Sequence, residues 1–213
     1  MESPRMIITI SREFGTGGRA AALKLGEMLG LKVYDKTILR RLTDQFNLTP
    51  EEIERIKAKR THWWDDFCNF YHQFDFSNSN VSEEQHSPTS LQLYYAEAQI
   101  VRDLAKQESC IVVGRCGFHI FKDDPRATKF LITASLAHRL QRIMSKYGLS
   151  EEEAMERIRT TDEARENYSK AFAGVSRYDA RNYDMALNAD GIHTDHIAAF
   201  LAEIVRRKSR LEA

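Results

Sequence analysis

Short apolar runs alternate with segments of helical periodicity along this chain, and that alternation limits the folds it can adopt. The runs that indicate buried strands are "MIITI" (6–10), "CIVVG" (110–114) and "KFLITA" (129–134), each rich in β-branched residues. "YDMALNA" (183–189) is a fourth candidate and "LKVYD" (31–35) a fifth. Strands that alternate with helices predict an α/β fold, a three-layer sandwich around a parallel sheet with right-handed crossovers.

Helix signals lie between these runs. Ser135 is a predicted N-cap of a helix that ends before Gly148, and "TPEE" (49–52) and "SEEE" (150–153) have capping-box chemistry. The segment 18–29 has helical period and is expected to bury one face, formed by Ala21, Ala22, Leu25, Met28 and Leu29.

Length and charge limit the class of protein. A chain of 213 residues fits one domain, 1–213, and its 31 basic and 31 acidic residues argue against a dedicated nucleic-acid or membrane-surface protein. The three cysteines have no metal-ligand spacing, and no run approaches the roughly 20 apolar residues of a membrane-spanning helix. We therefore expect a protein of the reducing cytoplasm.

The segment 62–90 differs from the rest of the chain. It opens with aromatic residues ("HWWDDFCNFYHQFDF") and then becomes rich in Ser, Asn and Glu. This composition predicts an insertion, part helix and part flexible loop, that leaves the main sheet. Its aromatic residues are typical of core packing or of a homodimer seam more than of base stacking.

A glycine-rich turn, "SREFGTGGR" (11–19), joins the first strand to the first helix. Helix N-termini bind anions because their first N–H groups lack intrahelical partners and the helix dipole adds positive charge. Glycines at 15, 17 and 18 are expected to adopt positive φ and to let the backbone approach a phosphate closely. A tight strand–helix corner without a ligand is the alternative interpretation.

This turn departs from the phosphate-loop pattern GxxxxGK[ST]. Only Gly17 satisfies it, because Gly18 stands at the lysine position and Arg19 at the hydroxyl position. Arg12 and Arg19 flank the glycines, and a guanidinium can bind phosphate oxygens bidentately. Arginine could therefore replace the charge of the missing lysine.

Six motifs in collinear order carry a resemblance: "ITISREFGTGGR", "YDKTILRR", "VVGRCGFHIF", "RIMSKYGLSEEEA", "TDEARENYSKAF" and "YDMALNAD". Over roughly residues 6–60 and 91–207, the chain resembles the cytidylate-kinase-like family of P-loop kinases. The resemblance implies the P-loop nucleotide-kinase architecture, and a phosphate loop without lysine is the usual form in that family.

The resemblance also implies roles for individual residues. The acceptor nucleotide would be bound by Asp35, Arg41 and Arg115, although Lys36 and Cys116 replace a hydroxyl residue and an aspartate of the family pattern. The phosphates of ATP would be bound by the loop residues Ser11, Arg12, Gly15, Thr16, Gly17, Gly18 and Arg19.

A lid-like helical segment is expected at 150–175. Asp162 and Arg165 keep the family's i, i+3 spacing and Arg159 lies one turn earlier, so one helical face could present all three to the transferring phosphate. Together with Arg19, these residues form the predicted catalytic set; a solvated, charged helix is the alternative.

The predicted function is phosphoryl transfer from ATP, with Mg²⁺, to a nucleoside monophosphate, for which CMP or dCMP is the best candidate. A metal ligand is not evident, and Ser11, Glu13 or Asp35 could hold Mg²⁺ through water. Two alternatives stay open at this point. Lys36 and Cys116 favour a kinase for another small molecule, and the missing lysine favours a nucleotide-binding regulatory protein without catalysis.

Overall fold

Five parallel strands form the centre of the computed structural model, which describes residues 5–35 and 90–211. Their order in the sheet is β2-β3-β1-β4-β5, and each neighbouring pair is parallel. The strands are β1 (Ile7–Arg12), β2 (Lys32–Tyr34), β3 (Cys110–Val113), β4 (Ala127–Thr133) and β5 (Met185–Asn188). The predicted α/β fold with a parallel sheet is therefore confirmed.

Six α-helices and one short 3-10 helix, Ala180–Asn182, belong to the described ranges. Predicted caps are present: the Ser135 hydroxyl accepts the His138 N–H at 3.2 Å, and Ser150 and Glu153 form a capping box. The helices are α1 (Gly18–Leu29), α2 (Ser90–Gln107), α3 (Gly117–Ile120), α4 (Leu136–Tyr147), α5 (Glu151–Ala173) and α6 (Thr194–Leu211). The capping box at 49–52 and residues 62–89 of the predicted insertion lie outside the described residues.

Alternate residues of the strands point to opposite faces of the sheet, and each face of the sheet carries a hydrophobic core. Ile8 and Ile10 pack with α1 and α6, whereas Ile7 packs with α2 and α3 on the other face. This arrangement confirms the three-layer sandwich. Helix α1 buries its predicted face with one correction: Met28 is exposed, and Gly26 is buried in its place.

The strand order creates a crevice at the carboxyl ends of β1 and β3. These strands are neighbours, with Ile10 opposite Val113, so the residues that follow each strand lie side by side. The chain leaves β1 through α1 on one face and leaves β3 through α3 on the other. Such a switch point is where open α/β sheets bind ligands. Within the described ranges, no helix is both long and apolar enough to cross a membrane.

Candidate active site

The glycine-rich loop closes on itself before α1 begins. Gly15 (φ +89°) and Gly17 (φ +80°) are left-handed, as expected of the loop glycines. Buried Thr16 donates its hydroxyl to the Glu13 carbonyl at 3.0 Å and accepts the Gly18 N–H at 3.2 Å. Gly17 is the N-cap of α1, so the loop presents a helix N-terminus of the kind that binds phosphate.

Gly18 is glycine for a different reason from the one expected. It is the first residue of α1 and is buried, and its φ is not positive. A Cβ atom here would lie 2.8 Å from Arg12 Cβ and 3.2 Å from Arg12 Cγ. The aliphatic stem of Arg12 therefore occupies the space that a side chain at position 18 would need, and a lysine at that position would have to displace it.

The guanidinium of Arg12 extends from the phosphate loop to the turn after β3. A Cβ at Gly114 would overlap Arg12 Nη1, and Gly114 has a left-handed φ of +78°. Arg12, Gly18 and Gly114 are thus interlocked, since the arginine fits only because both glycines lack side chains. Arg12, at the end of β1, thus brings one cation of this loop, whereas the lysine position at the start of α1 holds Gly18.

Gly114→Ala should therefore destabilise the protein for two reasons. A left-handed alanine costs about 1–2 kcal/mol, and overlap with Arg12 adds about 1–3 kcal/mol. Gly148→Ala is the matched control, because Gly148 is also left-handed (φ +66°) but has no atom within 4 Å of the added Cβ. Urea unfolding of both variants measures the difference; equal losses would contradict the interlock.

The turn after β3 holds three successive left-handed residues: Gly114, Arg115 and Cys116, the last two with φ of +52°. Left-handed non-glycine residues are strained and often occur at functional sites. The turn is closed by the Gly117 N–H, which donates to the Gly114 carbonyl at 2.9 Å. Burial raises the pKa of the Cys116 thiol to about 12, so this buried residue is neutral and contributes to packing.

A cavity of about 530 Å³ opens between these two segments and α5. Aromatic side chains form part of its wall, and the Arg115 guanidinium lies 4.7 Å from the ring centre of Tyr168. The lining also includes Ser11 and four arginines, namely Arg12, Arg115, Arg165 and Arg177. A cavity with this lining is suited to a ligand that has both an anionic group and an apolar or ring portion.

The carboxylate of Asp162 joins α5 to the phosphate loop. Its Oδ1 accepts the Phe14 N–H at 2.9 Å, and its Oδ2 accepts from Arg139 Nη1 at 2.5 Å. Arg165 and Arg177 each place Nη1 3.6 Å from Asp162 Oδ1. The predicted shared face of Asp162 and Arg165 is present in the structure, and both residues lie against the loop.

Arg159 does not join that face, which corrects the expectation. Its guanidinium is exposed and forms ion pairs with Glu156 at 2.7 Å and Glu163 at 3.0 Å. Both carboxylates belong to α5 and lie within one turn of Arg159, so they hold it on the solvent side of the helix. Of the two predicted lid arginines, only Arg165 lines the cavity.

Arg19 and Asp35 were assigned to donor and acceptor sites separately, and the structure brings them together. Arg19 Nε lies 2.7 Å from Asp35 Oδ2, with the arginine largely exposed and the aspartate buried. The pair links the start of α1 to the end of β2. Arg41 and Lys36 lie outside the described residues.

Sequence reasoning missed three residues that shape the site. Arg177 follows α5 and is buried against the cavity; Arg139 comes from α4 and binds Asp162. Phe14 packs between α4 and α5, with its ring 6.4 Å from that of Tyr147. Phe14 could have been noticed in the sequence, because it is an apolar residue within a polar loop. Arg139 and Arg177 belong to segments of ordinary surface composition, so no local signal indicated them.

Among the described residues, no group of three or more His, Cys, Asp or Glu side chains could hold a metal ion. Glu13 Oε2 accepts the Ala134 N–H at 3.0 Å, and Asp35 is paired with Arg19. Two of the candidate ligands are therefore already engaged.

The chain is similar to known proteins in sequence and in fold. The model of the cytidylate kinase-like family matches residues 7–191. A cytidylate kinase of Methanothrix thermoacetophila is 26% identical over 184 residues, which cover 86% of this chain and 88% of that protein. Among solved structures, an uncharacterized protein from Eubacterium ventriosum ATCC 27560 aligns with a TM-score of 0.68 at 20% identity, covering 95% of this chain and 99% of that one. The structure of TT1252 from Thermus thermophilus aligns with a TM-score of 0.50 at 20% identity, covering 95% and 97%. The structural likenesses bear on the fold alone, and the family match identifies the chain: it belongs to the cytidylate kinase-like family.

Proposed function

We propose that this protein transfers a phosphoryl group from MgATP to a phosphorylated small molecule, with CMP or dCMP as the first candidates. The observation that carries the proposal is the cluster of arginines that lines a cavity directly beside the phosphate loop. Membership of the cytidylate kinase-like family supports kinase activity, and the cytidylate kinase relative supports a nucleotide acceptor.

Phosphoryl transfer requires mainly positioning and charge neutralisation, and the site is built for both. The backbone of residues 11–19 would bind the ATP phosphates, and Arg12 would place its cation at the boundary between donor and acceptor. An oxygen of the acceptor's phosphate would attack the γ-phosphorus, the bond to the β,γ-bridging oxygen would break, and ADP would leave with that electron pair. Arg165 would stabilise the charge of the group in transit.

The acceptor's remaining portion would lie against Phe118 and Tyr168, with Arg115 stacked over the tyrosine ring. Cys116 favours a second candidate, a kinase for another phosphorylated acceptor, because a neutral thiol stands where the family pattern has an aspartate for the nucleoside. A regulatory protein without catalysis is less well supported, because Arg12 would supply a cation in place of the missing lysine. A cytoplasmic location, a homodimer and a mobile lid stay predictions.

Phosphorus NMR tests the proposal directly. Wild-type protein with MgATP is incubated with a panel of nucleoside monophosphates, other phosphate monoesters and small alcohols, and ADP and product resonances are followed. We expect transfer to at least one phosphate monoester and a loss of about 100-fold or more in Arg165→Met. Arg181→Met is the control, since this arginine is 89% exposed and paired with Asp179.

Two outcomes would count against the proposal. Transfer to alcohols only would show that the cationic cavity does not select a phosphorylated acceptor. ATP binding without transfer to any member of the panel would favour the regulatory alternative. A preference for CMP or dCMP over the other monoesters would identify the nucleotide, and transfer to a different monoester would identify the second candidate.

A further inference from the structure

Arg177 was not among the residues indicated by sequence, yet it is the most buried of the arginines that line the cavity. We propose that Arg177, together with Arg12 and Arg165, forms a binding subsite for a phosphate dianion at the junction of the phosphate loop and the acceptor cavity. The inference rests on the proposed function for its role in turnover, but phosphate binding at the subsite can be measured without turnover.

Position is the first argument. Arg177 Nη2 donates a hydrogen bond to the backbone carbonyl of Arg12, and Arg165 Nη1 donates to the same oxygen at 3.2 Å. Two guanidiniums from different segments are thereby fixed at the carboxyl end of β1. The phosphate loop starts at that carbonyl, so a phosphate bound by these arginines would lie between the donor loop and the cavity.

One hydrogen-bond donor of Arg177 is buried and, within the described ranges, unsatisfied. Arg177 is 4% exposed, and its Nη1 makes no hydrogen bond with any residue that the structure describes. Among the described residues, the acidic atom nearest to Nη1 is Asp162 Oδ1 at 3.6 Å, which is an ion-pair distance and too long for a hydrogen bond. A buried donor without an acceptor costs about 1–3 kcal/mol, and a phosphate oxygen in the adjoining cavity would satisfy it.

The backbone around Arg177 is held in place on both sides. Its N–H donates to Glu166 Oε2 at 3.1 Å, and its carbonyl accepts from Tyr183 Oη at 2.8 Å. These contacts attach the residue to α5 and to the segment before β5. The guanidinium is therefore positioned before any ligand arrives, which lowers the entropic cost of binding.

Charge is the third argument. Arg165 and Arg177 pair with the same carboxylate, Asp162, which also binds Arg139. Burial, followed by repulsion from Arg165 and Arg177, lowers the pKa of Arg12 to about 9. Burial and repulsion from Arg177 likewise lower the pKa of Arg165 to about 10. Arg12 and Arg165 are therefore still cationic at neutral pH, and a bound dianion would relieve the repulsion among the arginines of the subsite.

The test compares Arg177→Met and Arg177→Lys with the exposed control Arg181→Met. Isothermal titration with inorganic phosphate and with pyrophosphate measures the subsite directly. We expect Arg177→Met to weaken phosphate binding by about 10- to 100-fold, the effect of losing a charged hydrogen bond, with Arg177→Lys intermediate and the control unchanged. Circular dichroism establishes that each variant folds; should Arg177→Met fail to fold, the affinity of Arg177→Lys decides, and a value equal to wild type would overturn the proposal.

Steady-state kinetics distinguishes the two sources of the phosphate. A rise in the acceptor KM with the MgATP KM unchanged would assign the subsite to the acceptor's own phosphate. A fall in kcat with both KM values unchanged would assign it to the phosphoryl group in transit. Unchanged phosphate affinity and unchanged kinetics in Arg177→Met would overturn the subsite while leaving the kinase proposal intact. Loss of phosphate binding in this variant, in a protein whose wild type transfers to no acceptor, would support the subsite and refute the kinase proposal.

Discussion

Asp162→Asn is expected to lower the free energy of unfolding by about 3–5 kcal/mol, the cost of removing one partner from a buried charge cluster. The carboxylate accepts the Phe14 N–H at 2.9 Å and a guanidinium N–H from Arg139 at 2.5 Å. Its negative charge also offsets the positive charges of Arg165 and Arg177, whose guanidiniums would otherwise repel each other at this site. The neutral amide keeps the shape of the side chain, so the loss reports charge and not a cavity.

Urea unfolding at neutral pH measures this effect, with Asp103→Asn as the control. Asp103 is 47% exposed and pairs with Lys106 at 2.8 Å, so its loss should cost about 0–1 kcal/mol. Added phosphate should restore part of the stability of Asp162→Asn, because a bound dianion would supply the missing negative charge. A loss as small as that of the control would show that Asp162 does not organise the site.

Arg12→Met is expected to separate activity from stability. Transfer should fall by about 1000-fold or more, the usual scale for an arginine that stabilises the transferring group. The free energy of unfolding should stay equal or rise, because methionine keeps an unbranched stem beside Gly18 and removes a cation that Arg165 and Arg177 repel. Functional groups that destabilise their own fold show this pattern.

The pH dependence of stability gives a second readout for Arg12. Its pKa is lowered from 12.5 to about 9 in the folded protein, first by burial and then by its arginine neighbours. Keeping Arg12 charged in the folded protein therefore lowers the free energy of unfolding. This cost is fully present below about pH 9 and decreases as the pH rises from that value towards 12.5. The stability advantage of Arg12→Met over wild type should accordingly be larger at pH 7 than at pH 10.

Urea unfolding at both pH values and the phosphorus NMR assay test this pair of expectations, with Arg181→Met as the control for nonspecific loss of charge. A loss of stability at pH 7 comparable to that of Asp162→Asn would mean that Arg12 holds the loop together structurally. Retained transfer would remove Arg12 from the chemistry. The double variant Asp162→Asn/Arg12→Met should lose less than the sum of the single changes, because fewer like charges remain near one another.

Local signals in the chain were sufficient for most of the secondary structure. The continuous apolar runs predicted β1, β3 and β4, and strand candidates at 31–35 and 183–189 correspond to β2 and β5. Ser135 and Ser150 cap the helices they were expected to cap. Strand propensity, helical period and caps depend on residues a few positions apart, so they can be deduced without knowing the fold. The collinear motifs are also short local patterns, so they indicated the family without knowledge of the fold.

The sequence by itself therefore determined the α/β sandwich, the family and the place of the phosphate loop, while the tertiary structure decided how the charges of the site are arranged. Arg159 and Arg165 look equivalent in sequence, but two glutamates of its own helix hold Arg159 in solvent while Arg165 lies in the cavity. Arg177 meets Arg12 across 165 positions of the chain, and Gly114, after β3, is required by an arginine of the neighbouring strand β1. Contacts of that kind depend on which strands and helices become neighbours, and no local pattern records them. Short-range periodicity is thus sufficient to predict the fold, whereas the electrostatics of the site arise only when distant segments pack together.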